Sequence, residues 1–319
     1  MLGQYSWHEL SVFCVIVVIA LLVDLFSHKK DEAISMKNAA LWSLVWVALG
    51  LGFAVYVGLT HGREQSYLYL AGYLLEKSLS VDNLFVFMAI FSSFAVKDVY
   101  QHRVLYYGII GALILRLIFV AAGTSLLAIF DDWALTAFGL FVLWSAWKMW
   151  QESRKPDHEI VDYTHHWAVA AARRFMPVSS KLAGHDFFTR LDGRWHMTPL
   201  FLCLVTVEVA DVMFAFDSVP AIIAITQEPF LVYTSNIFAI LGLRSMYFLL
   251  AAAKRYLVHL EKSVIAILAF IGVKMLTQVI TDVHIPPMYS LMVVLGLLAL
   301  GIVGSWVFPG RKSDGNSSD

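Results

Sequence analysis

The segment GYLLEKSLSVDNLFVF, residues 72–87, combines two properties that rarely occur together. It has the length and apolar content of a membrane helix, yet Glu76, Lys77, Asp82 and Asn83 lie in its middle. A charged group near the centre of a bilayer costs about 2.5 to 3.5 kcal/mol on insertion scales. A helix of this kind therefore needs polar neighbours inside the membrane, and the rest of the sequence must supply them.

The composition places this segment in a membrane protein. Hydrophobic residues make up 59% of the 319 positions, charged residues make up 15%, and the mean hydropathy is +0.71. This apolar fraction exceeds that of a typical soluble domain. Cys14 and Cys203 both lie in apolar segments, so they are interpreted as small buried hydrophobes and not as a disulfide framework. No basic stripe interleaved with aromatic residues indicates nucleic-acid binding.

The apolar segments predict an all-α polytopic membrane protein with about nine transmembrane helices. Each segment approaches the roughly 20 residues that a spanning helix requires. The predicted spans are residues 10–26, 39–59, 67–94, 104–127, 134–150, 198–225, 230–253, 263–280 and 289–308. The first span is expected to be retained, because no Lys or Arg precedes it and Lys29 and Lys30 follow it at once.

The cations between the spans indicate the orientation of the chain. With nine spans, eighteen Lys and Arg residues fall on one side and only Arg63 falls on the other. Cations accumulate on the cytoplasmic side of membrane proteins, so we expect the N-terminus outside and the C-terminus inside. The chain then divides into spans one to five (1–150), a cytoplasmic loop (151–197), spans six to nine (198–308) and a disordered tail (309–319).

The predicted cytoplasmic loop is mixed in charge and contains five histidines. Two histidine-containing stretches within it are Asp157-His158-Glu159 and His165-His166. A solvated polar face is the default interpretation of both stretches, and a regulatory metal site is the alternative.

A motif of two acids six residues apart, followed by a small polar residue, occurs twice. The copies are Glu76-x5-Asp82-Asn83 in the third span and Asp211-x5-Asp217-Ser218 in the sixth. Each copy is followed by an arginine in the next span and a Lys-Met pair near the end of a third: Arg116 and Lys148-Met149, then Arg244 and Lys274-Met275. Spans three to five and six to eight therefore resemble an inverted three-helix repeat, an architecture typical of transporters.

Five carboxylates in these two spans, Glu76, Asp82, Glu208, Asp211 and Asp217, would together cost about 12 kcal/mol or more if they faced lipid. They are expected to face one another, cations or water. One interpretation is that they only pair with the intramembrane cations Lys77, Arg116, Arg244 and Lys274 as internal glue. The interpretation favoured here is a cation site that these basic residues support, because pairing alone explains neither the repeated spacing nor the excess of acids.

Helix geometry separates the two acids of each motif. On a regular helix Asp82 and Asp217 lie about 120° from Glu76 and Asp211. Pro220 cannot donate to the carbonyl of Phe216, so it frees an additional oxygen beside Asp217.

The predicted site offers only oxygen ligands. They are supplied by Glu76, Asp82, Asn83, Glu208, Asp211, Asp217 and Ser218. Such ligands suit Mg²⁺, Ca²⁺ or Mn²⁺ and disfavour metals that prefer thiolate. Because like-charge repulsion and desolvation oppose five neighbouring negative charges, metal arrival is expected to displace protons. Exchange of Mn²⁺ outward for H⁺ inward is the resulting hypothesis, with Glu76 or Glu208 as the proton carrier.

Several stretches closely resemble the TerC family of integral membrane proteins, and within it the Alx branch with a long central loop. These stretches are EKSLSVDNLFVF, EVADVMFAFDSVPAI, TSNIFAILGLRSMYFLL and FIGVKML. The resemblance covers nearly the whole chain and implies a bacterial inner-membrane protein related to cation exporters, with manganese efflux as the expected activity. The family motif positions correspond to the seven oxygen-ligand residues named above.

Two other classes of function stay open at this point. One is a membrane scaffold or redox modulator in an envelope, alkaline or tellurite stress response, in which the carboxylates matter only for folding. The other is an intramembrane enzyme, which we do not expect because the sequence has no HExxH or GxSxG motif. No cofactor is predicted, and the expected partners are the lipid bilayer, a divalent cation and protons.

Overall fold

The computed structural model describes residues 6–27, 36–154, 163–179, 184–191, 193–253, 260–281 and 285–307. These ranges contain ten α-helices and one two-stranded hairpin. The helices are α1 (Trp7–Ser27), α2 (Met36–His61), α3 (Arg63–Ser93), α4 (Asp98–Glu152), α5 (Trp167–Phe175), α6 (Pro199–Ile225), α7 (Pro229–Ile240), α8 (Leu243–Ala253), α9 (Leu260–Thr281) and α10 (Pro287–Val307). The predicted disordered tail lies outside the described residues.

The long apolar helices confirm a polytopic all-α membrane protein. Among the described residues, six helices are long and apolar enough to cross a membrane, namely α1, α2, α4, α6, α9 and α10. The bent pair α7–α8 gives a seventh if it counts as one span. Helix α3 is not among them, and it carries Glu76, Lys77 and Asp82 in its middle. Nine spans would require α3 and both halves of α4, so that count stays a prediction.

Helix α4, 55 residues long, folds back on itself at Asp131, where the backbone leaves helical geometry (φ 40°, ψ −114°). Arg116, before this point, contacts Asp211 of α6. Ser145, after it, contacts Asp217 of the same helix. The two contacts are six positions apart on α6, which corresponds to about 9 Å, whereas they are 29 positions apart on α4, which on a straight helix would correspond to about 44 Å. The two halves of α4 therefore lie side by side, and they correspond to the predicted fourth and fifth spans.

The predicted seventh span is broken between α7 and α8, which meet at an angle of 45°. Gly242 at the break has φ +82°, and the Trp46 ring fills the space where a Cβ would lie. The Lys77 ammonium donates to the carbonyls of Ala239 (3.0 Å) and Leu241 (3.3 Å). A cation at a helix C-terminus satisfies carbonyls that a membrane interior would leave unpaired. Lys77 thus stabilises the break in α7–α8.

The described part of the predicted loop packs on the ends of the membrane helices. It contains a 3₁₀ turn (Tyr163–His165), helix α5 and a hairpin of β1 (Phe188–Leu191) and β2 (Arg194–Met197). Val169 and Met197 are buried in a hydrophobic cluster shared with α3, α4 and α6. The hairpin was not predicted, although Asp-Gly at 192–193 is a typical hairpin turn sequence.

The histidine-containing stretches of this loop are only partly described. Asp157-His158-Glu159 and the side chain of His165 lie outside the described residues. The Nδ1 atom of His166 accepts a hydrogen bond from the Ala168 amide (3.4 Å) and so caps α5. The predicted polar face and its metal-binding alternative therefore both stay predictions.

Candidate cation site

A polar layer separates two hydrophobic clusters in the centre of the bundle. On α3 the first cluster includes residues up to Leu79, and the second begins at Leu84. On α6 the order is reversed, with one cluster ending at Val207 and the other beginning at Val219. The acid-containing segments 76–83 and 208–218 fall at this boundary, where packing between apolar surfaces gives way to hydrogen bonds. The two motifs are thus placed at the same level of the bundle.

Arg116 lies at the centre of this layer, and only 1% of it is exposed. Its guanidinium donates to Glu76 of α3 through Nη1. It also donates to both carboxylate oxygens of Asp211, with distances of 3.3 Å from Nη2 and 3.5 Å from Nε. A third partner is the Ser218 hydroxyl, 3.1 Å from Nη1. One arginine therefore joins the first acid of both motifs, and we call Glu76, Arg116, Asp211 and Ser218 the Arg116 cluster.

The Arg116 cluster is not electrically balanced. Two carboxylates face one guanidinium, so the four residues in their ionised forms carry a formal charge of −1 in a buried environment. The neighbouring cation, Lys77, directs its ammonium to the carbonyls of Ala239 and Leu241 and not to a carboxylate. The second oxygen of Glu76, Oε2, is buried and has no hydrogen-bond partner among the described residues. Burying an unmatched charge is costly unless another cation or a proton compensates it. This cluster is therefore suited to receive a positive charge.

The second acid of the α6 motif points elsewhere. Asp217 accepts a hydrogen bond of 2.5 Å from the Ser145 hydroxyl on the second half of α4. Helix α6 continues through Pro220 up to Ile225, so the two acids keep the angular separation of a regular helix. Asp211 and Asp217 consequently face opposite halves of the α4 hairpin.

Glu208 packs against Gly111 of α4. The Glu208 carboxylate occupies the space where a Cβ at position 111 would lie, so a larger residue there would have to displace it. Its Oε2 atom is buried, and in the described part of the chain it has no hydrogen-bond partner. A carboxylate in this condition is a candidate for carrying a proton or for ligating an ion.

A cavity of about 10 Å³ adjoins Asp211 on the side of the predicted loop. Its walls are mostly apolar and consist of Phe87, Leu105, Gly108, Ile109, Ala112, Val207 and Leu243. This volume is about that of one water probe. The cavity therefore leaves a small space beside Asp211 that the surrounding side chains do not fill.

The remaining predicted site residues are distributed around the Arg116 cluster. The side chain of Asp82 lies outside the described residues, while Asn83 is 7% exposed. Lys274 is buried to the same extent on α9. Arg244 donates to the carboxylate of Asp24 on α1, at 3.1 Å, and also to the Asp24 carbonyl.

In the described part of the chain, no three His, Cys, Asp or Glu side chains are grouped closely enough to hold a metal ion. In the Arg116 cluster two carboxylates come together, and the guanidinium occupies the position between them. Two of the predicted ligands, Glu76 and Asp211, thus bind the Arg116 guanidinium in this conformation.

Three residues of this region were not identified from the sequence. Ser145 lies in an apolar stretch where a single hydroxyl gives no signal, and Gly111 is one of several glycines in α4. Asp24 was recognisable, because it is the only acid between residues 10 and 26 of the first predicted span. An isolated intramembrane acid indicates a buried basic partner.

Comparison with known proteins agrees with this architecture. The family model described as "Integral membrane protein TerC family" matches residues 61–313, which include both acidic motifs. The chain belongs to the TerC family. No solved structure matches the chain significantly.

TerC family relatives align along nearly the whole chain. "Tellurium resistance protein TerC" of Serratia marcescens is 48% identical, and the alignment covers 94% of each chain. The protein of the same name from an Alcaligenes species is 46% identical, over 96% of this chain and 95% of the relative. Alx of Escherichia coli (strain K12), named as a membrane-bound redox modulator, is 43% identical, over 92% of this chain and 93% of the relative. The chain is thus a multi-pass membrane protein of a bacterial family.

Proposed function

We propose that this TerC family protein exports a divalent cation, with Mn²⁺ as the favoured substrate, across the bacterial inner membrane. The observation that supports this proposal is the excess of buried acid in the Arg116 cluster. Two carboxylates from different helices share one arginine at the boundary between two hydrophobic clusters. An internal ion pair would need only one acid, whereas a cation carrier needs an unmatched negative charge.

The chemistry of the donors supports a hard cation. Glu76, Asp211 and Ser218 offer only oxygen atoms, and Cys203 is buried at the end of α6 outside this layer. Oxygen ligands suit Mn²⁺, Mg²⁺ and Ca²⁺. Asp82, Asn83, Glu208 and Asp217 are proposed as additional ligands at other stages of transport.

Arg116 is proposed to compete with the transported ion. The guanidinium and the metal need the same oxygens of Glu76 and Asp211, so both cannot occupy that position at once. Entry of the ion displaces the arginine, and return of the arginine favours release. A tethered cation of this kind lets an acidic site discharge a doubly charged ion that it would otherwise retain.

Proton exchange is proposed to complete the cycle. After the metal leaves, protons compensate carboxylates that Arg116 does not neutralise, and the next metal ion displaces them. Glu208 is a suitable carrier, because its buried Oε2 has no hydrogen-bond partner among the described residues and it lies one turn before Asp211 on α6. Glu76 is the second candidate, since it also has an unpartnered oxygen.

The proposed architecture has nine spans and an inverted repeat. Spans three to five would be α3 and the α4 hairpin, and spans six to eight would be α6, α7–α8 and α9. Arg116 then lies at the interface between repeats, where transporters commonly hold their substrates. The eighteen-to-one distribution of cations supports an external N-terminus and a cytoplasmic C-terminus.

The content of manganese in cells tests the substrate. Cells that overproduce the protein should contain less manganese than cells that overproduce Asp211→Asn at the same membrane level, as measured by elemental analysis. Unchanged manganese together with a fall in another divalent ion would reject Mn²⁺ but keep the transport proposal.

Proteoliposomes with an internal pH dye test the coupling. When an imposed gradient drives Mn²⁺ into the vesicles, protons should leave and the internal pH should rise. Manganese flux without any pH change would reject proton exchange and favour a uniporter or channel.

A second candidate function follows from the names of the relatives. Proteins 43–48% identical to this chain are named for tellurium resistance or redox modulation. A scaffold or redox modulator in a stress response would need the carboxylates only for folding. Loss of metal flux in a well-folded Asp211→Asn variant would exclude that role for Asp211.

A further inference from the structure

Asn236 on α7 carries a buried amide whose polar atoms are both left without hydrogen bonds. Only 1% of the residue is exposed, and neither Oδ1 nor Nδ2 has a partner among the described residues. Burying a polar group without a hydrogen bond costs free energy, and the large majority of buried side-chain polar atoms do have a partner. The sequence did not single out this residue as part of the site, and its isolation in the folded chain needs a physical reason.

Along α7, Asn236 lies at the level of the polar layer. Val232, one turn before it, belongs to the first hydrophobic cluster, and Ile240, one turn after it, belongs to the second. Residues four positions apart lie on one face of a helix, so all three project from the same side of α7. On α4, Arg116 lies between residues of the same two clusters. Asn236 therefore reaches the boundary between the clusters at the level of Arg116.

Two contacts with α3 place Asn236 close to Glu76. Ser235 packs against Gly72, where a Cβ would lie 3.0 Å from the Ser235 Oγ atom. Beyond Glu76, the Lys77 ammonium donates to a carbonyl in the last turn of α7, at 3.0 Å. The first contact precedes Glu76 on α3 and the second follows it. The segment of α7 that carries Asn236 thus packs against the segment of α3 that carries Glu76.

The Arg116 guanidinium does not use this amide. Its hydrogen bonds go to Glu76, Asp211 and Ser218. A guanidinium has only donors, and the unpartnered Oδ1 of Asn236 is an acceptor. Amide oxygens are also ligands for hard divalent cations. A metal ion that replaces the guanidinium could therefore use an oxygen that the guanidinium leaves free.

We infer that Asn236 is a ligand reserved for the transported cation, an inference that rests on the proposed function. When the ion displaces Arg116 from Glu76 and Asp211, the Asn236 Oδ1 atom coordinates the ion. When the guanidinium returns, the amide loses this bond. Because Asn236 stabilises the metal-bound state and not the arginine-bound state, it shifts the competition between the two cations towards the metal without adding a negative charge to the site.

Asn236→Leu separates this role from a structural one. Leucine branches at the same carbon as asparagine but has no polar atom. Since the amide has no described partner to lose, the metal-free variant should unfold in detergent at the wild-type midpoint or above it. Mn²⁺ should raise the midpoint of both proteins, but the variant should need about tenfold more Mn²⁺ for half of the shift, because losing a group that supports a bound metal typically costs about 10- to 100-fold in affinity.

Two further variants serve as controls. Thr234→Val removes a hydroxyl from the opposite side of α7, where it donates to the Phe230 carbonyl at 2.8 Å, and it should keep the wild-type response to Mn²⁺. Asn236→Asp keeps an oxygen at the position of Oδ1 and should retain Mn²⁺ binding. If Asn236→Leu is not produced in folded form, Asn236→Ala takes its place with the same expected loss of affinity.

Two results would overturn the inference while the proposed export stands. One is a half-maximal Mn²⁺ concentration in folded Asn236→Leu equal to that of the responding wild type. The other is loss of the response in Asn236→Asp as well, which would assign the effect to Nδ2 and not to a metal ligand. A wild type that responds to none of Mn²⁺, Mg²⁺ and Ca²⁺ would instead overturn the proposed function, and this inference with it.

Discussion

The two buried arginines of the proposed repeats have different partners. Arg116 contacts two carboxylates, Glu76 and Asp211, from the helices that carry the two acidic motifs. Arg244 contacts Asp24, an acid of the first helix that belongs to neither motif. The sequence places both arginines in the span after an acidic motif, yet their electrostatic surroundings differ.

This difference indicates that the surroundings of Arg116 can accept a cation, whereas the contact of Arg244 joins helices. The contact between Arg244 and Asp24 attaches α1 to the bent α7–α8 span, and Asp24 belongs to neither acidic motif. The Arg116 cluster has one acid more than it needs for neutrality. We therefore expect function to depend on the acids of the Arg116 cluster, and assembly to depend on both arginines.

The largest expected effect is that of Arg116→Ala. Removing this guanidinium leaves Glu76 and Asp211 buried without a partner, and breaking a buried pair costs about 3 to 5 kcal/mol. Protein abundance in the membrane should fall steeply, as measured by quantitative immunoblotting. The combined variant with Glu76→Gln and Asp211→Asn should recover abundance without recovering metal export. Recovery of export as well would show that the acids of this cluster are dispensable.

Arg244→Ala should also lower abundance, by a smaller amount, because it removes the contact with one described carboxylate instead of two. Adding Asp24→Asn should restore both abundance and export. A double-mutant cycle in detergent measures the coupling between the two residues. An export defect that persists in the well-folded double variant would place Arg244 in the transport pathway.

Gly111→Ala tests the position of Glu208. The added methyl group overlaps the Glu208 carboxylate and must displace it, and overpacking of this kind costs about 1 to 3 kcal/mol. Export should fall more than abundance. Gly108→Ala is the matched control on the same helix, since its Cβ would meet Val207 at an ordinary distance of 3.4 Å. Equal export by the two variants would show that transport does not depend on where the Glu208 carboxylate lies.

The smallest effect is expected for Ser145→Ala. The variant loses one hydrogen bond to the Asp217 carboxylate, and a hydrogen bond to a charged group contributes about 1.5 to 3 kcal/mol. The unfolding midpoint should decrease and export should continue at a reduced rate, whereas Asp217→Asn should abolish export. Equal export by both variants would show that Asp217 acts only through its bond to Ser145.

The sequence was sufficient for the helical class and for the residues that meet at Arg116. Composition and span length predict membrane helices, and the repeated acid spacing selects Glu76 and Asp211. The reversal at Asp131 was predicted only as a gap between two spans, because a change of direction at one residue depends on packing of α4 against α6 and α9. The bend at Gly242 was missed, since the α7–α8 sequence is apolar on both sides of it.

The partners of individual side chains were harder to predict than the helices. Pattern and spacing show that Arg116 and Arg244 need acids, but several acids are available and only the three-dimensional arrangement assigns them. Asp24 illustrates this limit, because it is visible in the sequence and belongs to no motif. The contact between Ser145 and Asp217 depends on the α4 hairpin, so it could not be predicted before that hairpin was known.

Metal flux into proteoliposomes tests the central claim most directly. Purified wild type, Asp211→Asn and the Asp24→Asn/Arg244→Ala double variant are reconstituted at equal density, and entry of Mn²⁺ is followed by quenching of an internal dye. The wild type and the double variant should transport Mn²⁺, while Asp211→Asn should not. Flux through Asp211→Asn at the wild-type rate would contradict the assignment of the Arg116 cluster as the cation site.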